Sequence, residues 1–260
     1  MIINIINHIG EKVIQICDSI GEYSEFVFKT FFTAFTRRLK IEKIITQMEV
    51  VGVDSFAISV LTGVFAGAVI TLQTYYGFTK FGSENMIGPV VALTLTRELG
   101  PVLTGLMVTG RSGSGITAEI GTMRITEQID ALETLNINIF QYLMVPRVLA
   151  GIIILPFLTV FTMAFGIWGG YLVYVYYFDL NSVDYVEGIK NFLELSDIRG
   201  GLIKSSFFGF ILTSVGSFVG NKTHGGAKGV GISTTQAVVL SSIMILISNY
   251  FLALVLFEKS

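Results

Sequence analysis

The chain has 260 residues, of which 52% are hydrophobic and only 14% are charged, and its formal net charge is −2. Soluble domains carry about 25% charged residues, so this composition and a mean hydropathy of +0.71 predict an all-α integral membrane protein. The near-neutral charge offers no basic surface for nucleic acid. The single cysteine excludes an intrachain disulfide, and two isolated histidines give no metal-ligand spacing.

Residues 1–44 predict an amphipathic helix that lies in the membrane interface. In residues 2–22, isoleucine and valine recur at helical spacing, and polar side chains take the other side. Phenylalanines between positions 26 and 35 precede a basic cluster, Arg37, Arg38, Lys40 and Lys43. Because the segment lacks an uncharged run of about 20 residues, we expect it to lie on the membrane. The alternative is a first span whose charged side chains reach the headgroups.

Five apolar stretches follow that are long enough to cross a bilayer, which takes about 20 residues. We place these spans at about 55–79, 87–112, 148–178, 200–220 and 232–257. GxxxG patterns, which are typical of close helix contacts, occur at Gly63 and Gly67 and at Gly216 and Gly220. An odd number of spans cannot form two inverted three-span halves, which disfavours a secondary transporter.

Two adjacent charges, Arg97 and Glu98, lie at the centre of the second predicted span. A charge at the bilayer centre costs roughly 2.5–3.5 kcal/mol on insertion scales, so such residues are usually functional. Neighbours on a helix point about 100° apart, so at least one of them should face another helix, a cavity or a ligand. A buried contact that only fixes packing is the alternative. Pro101 follows, and we expect a kink that leaves carbonyl groups free near the charges.

The stretch after this span, residues 110–117, imitates a phosphate-binding loop. Ile116 stands where such a loop needs lysine, and no strand precedes it, so we reject nucleotide binding and expect the small residues to serve packing. Residues 118–135 are polar and helix-prone, with Ile125, Ile129 and Leu132 on one face. They predict a helix outside the membrane, which is either a solvated surface helix or a contact for a partner.

Topology follows from the distribution of Lys and Arg. Segments 37–43, 111–147 and 222–228 hold most of these residues, whereas loops 80–84 and 179–199 are poorer in them or acidic. The positive-inside rule then places the N-terminus in the cytoplasm and, after five spans, the C-terminus on the other side.

A long ordered motif resembles the MlaE/YrbE-type permeases of ABC transporters. It consists of RELGPVL at 97–103, GR at 110–111, AEIGTM at 118–123, TEQIDAL at 126–132, GIWGG at 166–170 and LIKS at 202–205. The resemblance extends from about residue 45 to the C-terminus. It divides the chain into an N-terminal region, 1–44, and a permease domain, 45–260.

This resemblance implies a permease subunit that moves phospholipid or a related lipid and works as a homodimer. The subunit is not expected to be an enzyme or to hold a cofactor, because ATP would be bound and hydrolysed by a separate ABC ATPase. The family also implies a periplasmic MCE-domain lipid-binding protein as a partner. We expect a bacterial inner-membrane protein with a periplasmic C-terminus, and a plastid envelope is the other location open to the family.

The expected substrate-binding residues are Arg97 and Lys204, which would attract an anionic headgroup, Glu98, which would balance charge and help gating, and Gln73 and Tyr76, which would line the pocket. Lys204 lies one turn into its span, so it could instead reach the interface. The resemblance makes residues 118–135 a cytoplasmic coupling helix for the ATPase, with contacts from Glu119, Thr122, Met123, Arg124, Thr126, Glu127, Gln128, Asp130 and Leu132. Two alternatives are an ion-coupled secondary transporter that uses Arg97 and Glu98, and a scaffold that transports nothing.

Overall fold

The structure, a computed structural model, describes residues 2–257, apart from the side chains of residues 2–9, 12, 13, 15 and 16. Much of the apolar face predicted for residues 2–22 therefore lies outside the described side chains. Residues 2–257 form helices and no strand, as expected. We number these helices α1 (Ile2–Thr36), α2 (Ile41–Phe81), α3 (Glu84–Ile125), α4 (Gln128–Thr134), α5 (Phe140–Tyr177), α6 (Ser182–Phe192), α7 (Leu195–Asn221) and α8 (Gly226–Phe257).

The prediction of five membrane-spanning helices is confirmed. Among the described residues, α2, α3, α5, α7 and α8 are long and apolar enough to cross a membrane, and α1 is not among them. Most of these helices extend beyond the predicted spans; α2 begins at Ile41 rather than near residue 55. Hydropathy marks only the apolar part of a helix, whereas backbone hydrogen bonds continue into polar flanks. We call the two ends of the bundle the α4 end and the α6 end after the short helices that lie there.

The helices approach closely where glycines remove side chains. A Cβ atom built on Gly67 of α2 would lie 1.8 Å from the carbonyl oxygen of Gly166, and one on Gly63 would lie 2.5 Å from that of Thr162. The first GxxxG pattern therefore packs α2 directly against the backbone of α5. On α7, a Cβ atom built on Gly216 would lie 3.1 Å from the carbonyl oxygen of Gly113 in α3.

Residues 110–117 are helical and belong to α3, with a π-helical turn at Thr109–Gly113. The hydroxyl oxygens of Ser112 and Ser55 lie 2.8 Å apart, and Thr117 donates to the carbonyl oxygen of Gly216 at 3.1 Å. Small residues thus serve packing between helices, as expected for a sequence that only imitates a phosphate-binding loop.

Residues 118–135, predicted as one helix, are two. The first part continues α3 to Ile125, and α4 begins at Gln128 after a turn in which Glu127 adopts a left-handed backbone conformation with φ +58°. A non-glycine residue rarely adopts this conformation, and here it separates the two helices within two residues. Periodicity over residues 118–135 cannot reveal such a turn, because the apolar residues on both sides of it still face the core.

The loop predicted at 179–199 contains α6 and the first turn of α7. The side chain of Asn181 accepts from the backbone N–H of Val183 at 3.0 Å and so caps the start of α6. The placement of Asp197 in an outer loop is wrong, because α7 begins at Leu195 and Asp197 is fully buried.

Candidate functional site

Charged side chains from α3 and α7 form a network inside the bundle. Arg97 Nε donates to Asp197 Oδ1 at 2.6 Å, and Lys204 Nζ donates to Glu98 Oε1 at 2.7 Å. Asn249 of α8 donates from Nδ2 to Glu98 Oε2 at 3.0 Å. These five residues, which we call the charged cluster, contain two cations and two carboxylates and are formally neutral.

The pairs in the charged cluster differ in exposure. The side chains of Asp197 and Lys204 are 0% exposed, whereas those of Arg97 and Glu98 are 32% and 38% exposed. Each fully buried charge on α7 is therefore paired with a partly exposed charge on α3. A buried charge that lacks a counter-ion is strongly destabilising, so α7 is held in place by the two residues that remain accessible.

The backbone of α3 is adapted to this arrangement. Residues Leu95–Leu99 form a π-helical turn immediately before Gly100. Pro101 has no N–H to give to the carbonyl group of Arg97, four residues earlier. That carbonyl oxygen instead accepts from Lys204 Nζ at 3.0 Å. The disturbance expected at the proline thus takes the form of a π-helical turn, a feature that is frequent at functional sites.

Sequence reasoning missed Asp197 and Asn249 as members of the cluster. Asp197 Oδ2 also accepts from the backbone N–H of Glu194 at 3.0 Å, so one carboxylate both caps α7 and binds Arg97. The spacing of Glu194 and Asp197, three residues apart before an apolar run, is a helix-start signal that could have placed it. Asn249 is one of two amides, with Gln236, in an uncharged predicted span, which marks it only weakly.

An aromatic ring covers the charged cluster at the α6 end. The guanidinium carbon of Arg97 lies 5.2 Å from the centre of the Phe257 ring, and Lys204 Nζ lies 4.9 Å from it. Cations at such distances are attracted to the face of the ring.

An apolar groove of about 730 Å³ lies beside the charged cluster, between α1, α7 and α8. Its lining includes Phe207 and Leu252, each three residues after a cluster member on its helix. Three residues are nearly one helical turn, so polar and apolar surfaces adjoin along α7 and α8. Such an arrangement can accommodate a molecule with a charged head and apolar chains.

Gln73 and Tyr76, predicted to line the pocket, are exposed on α2. The ring of Tyr76 packs edge-on against Tyr75 and Phe178. The structure does not bring these two residues into the charged cluster, which draws its members from α3, α7 and α8. Their role in binding substrate stays a prediction.

The residues predicted to contact an ATPase form a polar surface around the turn between α3 and α4. Arg124 Nη1 donates to Asp130 Oδ1 at 2.7 Å across the turn, and the fully buried Ile129 anchors α4 to the bundle. Exposed residues of this surface are Glu119, Thr122, Thr126, Glu127, Gln128 and Asp130, while Met123, Arg124 and Leu132 are half-buried. The buried Ile129 thus holds the turn against the bundle, while Thr126 and Glu127 remain exposed to solvent.

Comparison with known proteins agrees with the motifs in α3. The family model described as Permease MlaE matches residues 44–255. The chain is 46% identical to a probable ABC transporter permease protein of Rickettsia felis over 99% of this chain and 100% of that protein. It is 36% identical to the intermembrane phospholipid transport system permease protein MlaE of Haemophilus influenzae, over 99% of both chains. It is 39% identical to the chloroplastic protein TRIGALACTOSYLDIACYLGLYCEROL 1 of Arabidopsis thaliana, over 82% of this chain and 61% of that protein. The chain is therefore a multi-pass membrane protein that belongs to the MlaE permease family.

Proposed function

We propose that the chain is the permease subunit of an ABC transporter that moves phospholipid or a related lipid. Its membership of a permease family and the printed names of its relatives support transport. The choice of a lipid as substrate rests on one observation. The charged cluster, which has no formal net charge, lies beside an apolar groove of about 730 Å³. The chain itself is a carrier without enzymatic activity or a cofactor, and ATP is bound and hydrolysed by a separate ATPase.

In this proposal the lipid phosphate exchanges with the carboxylates of the charged cluster. When a phosphate takes Arg97 and Lys204 as partners, neither carboxylate loses every donor. Asp197 keeps the backbone N–H at the start of α7, and Glu98 keeps the amide of Asn249. Because burying an unpaired charge is costly, these second donors lower the free energy of the exchange. Arg97 and Glu98, which are partly exposed, receive the headgroup first, and the opening of the Glu98–Lys204 pair acts as the gate.

The functional unit that we propose is a homodimer with two ATPase subunits. Helix α8 supports this assembly, since only 11% of its most apolar window is buried, against 61% for α7. A second copy would cover part of α8 and close the groove into a substrate cavity. The exposed turn at Thr126 and Glu127 would contact the ATPase, and the α6 end would face an MCE-domain lipid-binding protein. This places the chain in a bacterial inner membrane with a cytoplasmic N-terminus and a periplasmic C-terminus.

Purification in mild detergent with mass spectrometry of bound proteins and lipids tests the proposal. We expect an ATPase and phospholipid with the wild type. Loss of the ATPase alone is expected from a Thr126→Ala/Glu127→Ala/Asp130→Ala variant, and a reduced phospholipid content with the ATPase retained is expected from Arg97→Gln. The exposed Arg199 provides the matched control, Arg199→Gln, which should retain both.

Two outcomes contradict the proposal. If no ATPase is retained and reconstituted vesicles move solute only with an ion gradient, the chain is an ion-coupled transporter. If neither lipid content nor lipid movement responds to changes in the charged cluster while the unfolding temperature does, the cluster only holds the helices together and the chain is a scaffold.

A further inference from the structure

A second polar cavity lies at the α4 end of the bundle, far along α3 from the charged cluster. It has a volume of about 280 Å³ and lies between α2, α3 and α5. We call it the α4-end pocket, and its polar lining includes Lys43, Gln47, Glu119, Tyr142 and Arg147. None of these residues belongs to the charged cluster.

Arg147 is the central residue of the α4-end pocket. Its side chain is only 4% exposed. One terminal nitrogen donates to the carbonyl oxygen of Leu143 at 2.8 Å, and the other binds Glu119 Oε1 at 2.7 Å. Within the described part of the chain, its Nε atom is buried and has no hydrogen-bond partner. Buried polar groups are nearly always hydrogen-bonded, so this nitrogen still requires an acceptor.

A second buried atom of the pocket also lacks a partner among the described residues, namely Oε1 of Gln47. Two residues that line the pocket thus each hold a buried polar atom without a partner, a donor on Arg147 and an acceptor on Gln47. A ligand that satisfies both must carry an acceptor group and a hydroxyl or amine donor.

The charge around the pocket favours an anion. Lys43 Nζ lies 3.5 Å from the centre of the Tyr142 ring, and Lys40 Nζ lies 4.7 Å from the same centre. Among the described residues that line the cavity, Lys43 and Arg147 are the two cations and Glu119 is the one carboxylate. A single phosphate diester carries one negative charge, and it matches the excess of cations better than a neutral or cationic group does.

We propose that the α4-end pocket binds the headgroup of an anionic glycerophospholipid that carries a free hydroxyl group. The phosphate accepts from Arg147 Nε and faces Lys43, and the hydroxyl donates to Gln47. The pocket lies among the ends of three membrane-spanning helices and beside the basic residues that join α1 to α2. Basic pockets between such helices near a membrane surface recognise anionic headgroups.

A lipid in this pocket would hold together the two helical segments that lead to and from α4, namely the end of α3 and the start of α5. Glu119 lies on α3 before the turn, and Leu143 lies in the π-helical turn Phe140–Met144 that begins α5. Arg147 already binds both. The headgroup would fix Arg147 in this position and so fix the base of the exposed turn, without itself being the transported molecule.

Native mass spectrometry of the full chain with its co-purified partners can test this inference. The titration uses phosphatidylglycerol, phosphatidylcholine and inorganic phosphate. It is done in an Arg97→Gln background, so that lipid held at the charged cluster does not contribute. We expect phosphatidylglycerol to bind with clear preference, and Lys43→Gln to weaken it about tenfold, the effect of one charge-assisted contact. Arg147→Lys keeps the charge but removes Nε, and should weaken binding by a similar factor.

Lys80→Gln is the matched control, because it removes the same charge from an exposed position at the other end of α2. Gln47→Leu keeps every bond of Arg147, so it tests the pocket even where an Arg147 variant fails to fold. The inference is overturned if phosphatidylcholine binds as well as phosphatidylglycerol, or if Lys43→Gln and Gln47→Leu both behave like Lys80→Gln. It is also overturned if inorganic phosphate displaces the lipid at equal concentration, which would indicate a site for free anions.

Discussion

Removing the carboxylate of Glu98 should destabilise the protein through the lysine that it leaves behind. In Glu98→Ala, Lys204 stays 0% exposed and retains the carbonyl oxygen of Arg97 as its hydrogen-bond partner, with the Phe257 ring 4.9 Å away, but no counter-ion. Breaking a buried ion pair on one side costs about 3–5 kcal/mol. The carboxylate is itself 38% exposed, which weakens its attraction to Lys204, so we expect a loss near the lower limit, about 3 kcal/mol.

The double variant Glu98→Ala/Lys204→Met separates this cause from a loss of packing. Methionine replaces the lysine with an uncharged side chain of similar length, so no buried charge remains unpaired. Replacing both partners of a buried pair with apolar residues is often neutral, and we expect the double variant to lie within about 1 kcal/mol of the wild type. The free energies would then be strongly non-additive, as contacting residues allow.

Reversible unfolding in mixed micelles, titrated with a denaturing detergent, measures these free energies. Glu187→Ala, which removes an exposed carboxylate from α6, is the control and should change stability by no more than about 0.5 kcal/mol. The reasoning is refuted if Glu98→Ala is as mild as this control. It is also refuted if Lys204→Met and Glu98→Ala add without interaction, since Lys204 would then not depend on Glu98.

Three further predictions concern packing, the second ion pair and pH. Gly67→Ala places a methyl group 1.8 Å from a carbonyl oxygen of α5, so it should lower the free energy of unfolding by at least about 2–3 kcal/mol. The control Gly77→Ala lies on the same helix in open space. In the same unfolding assay it should be neutral or stabilise by up to about 1 kcal/mol. Asp197→Asn should cost about 2–3 kcal/mol and the exposed Asp184→Asn at most about 0.5 kcal/mol. Burial raises the pKa of Tyr23 on α1, so the unfolded chain loses this proton first, near pH 10. The free energy of unfolding should therefore fall as pH rises above about 10, and Tyr23→Phe should flatten that slope.

Each of these predictions has a result that contradicts it. Equal stability of Gly67→Ala and Gly77→Ala would mean that α2 and α5 can separate without cost. Equal stability of Asp197→Asn and Asp184→Asn would mean that Asp197 is not held as a buried ion. An unchanged pH slope in Tyr23→Phe would mean that α1 does not bury this tyrosine against α7.

The number of spans and the position of Arg97 and Glu98 inside one of them could be predicted from the sequence because both depend on local composition. Apolar length decides whether a helix can cross a membrane, and a charge inside such a run is visible without any structure. The partners of those charges could not be predicted in the same way. Asp197 looks like one of several acids in a polar loop until the start of α7 is known, and Asn249 is a single amide whose direction depends on how α8 packs.

The spacing of the charges explains why adjacent residues on α3 can hold two separate points on α7. Asp197 and Lys204 are seven residues apart, which is about two helical turns and roughly 10.5 Å along the same face. Arg97 and Glu98 diverge by about 100°, so one reaches the start of α7 and the other reaches two turns deeper. A rotation of α3 that draws one of them away must also move the other, since both are fixed to one rigid helix. A rigid rotation of α3 would therefore disturb both ion pairs, and in the proposed function a headgroup that replaces one carboxylate would weaken the second pair as well. This coupling would let a single bound phosphate release α7 from α3.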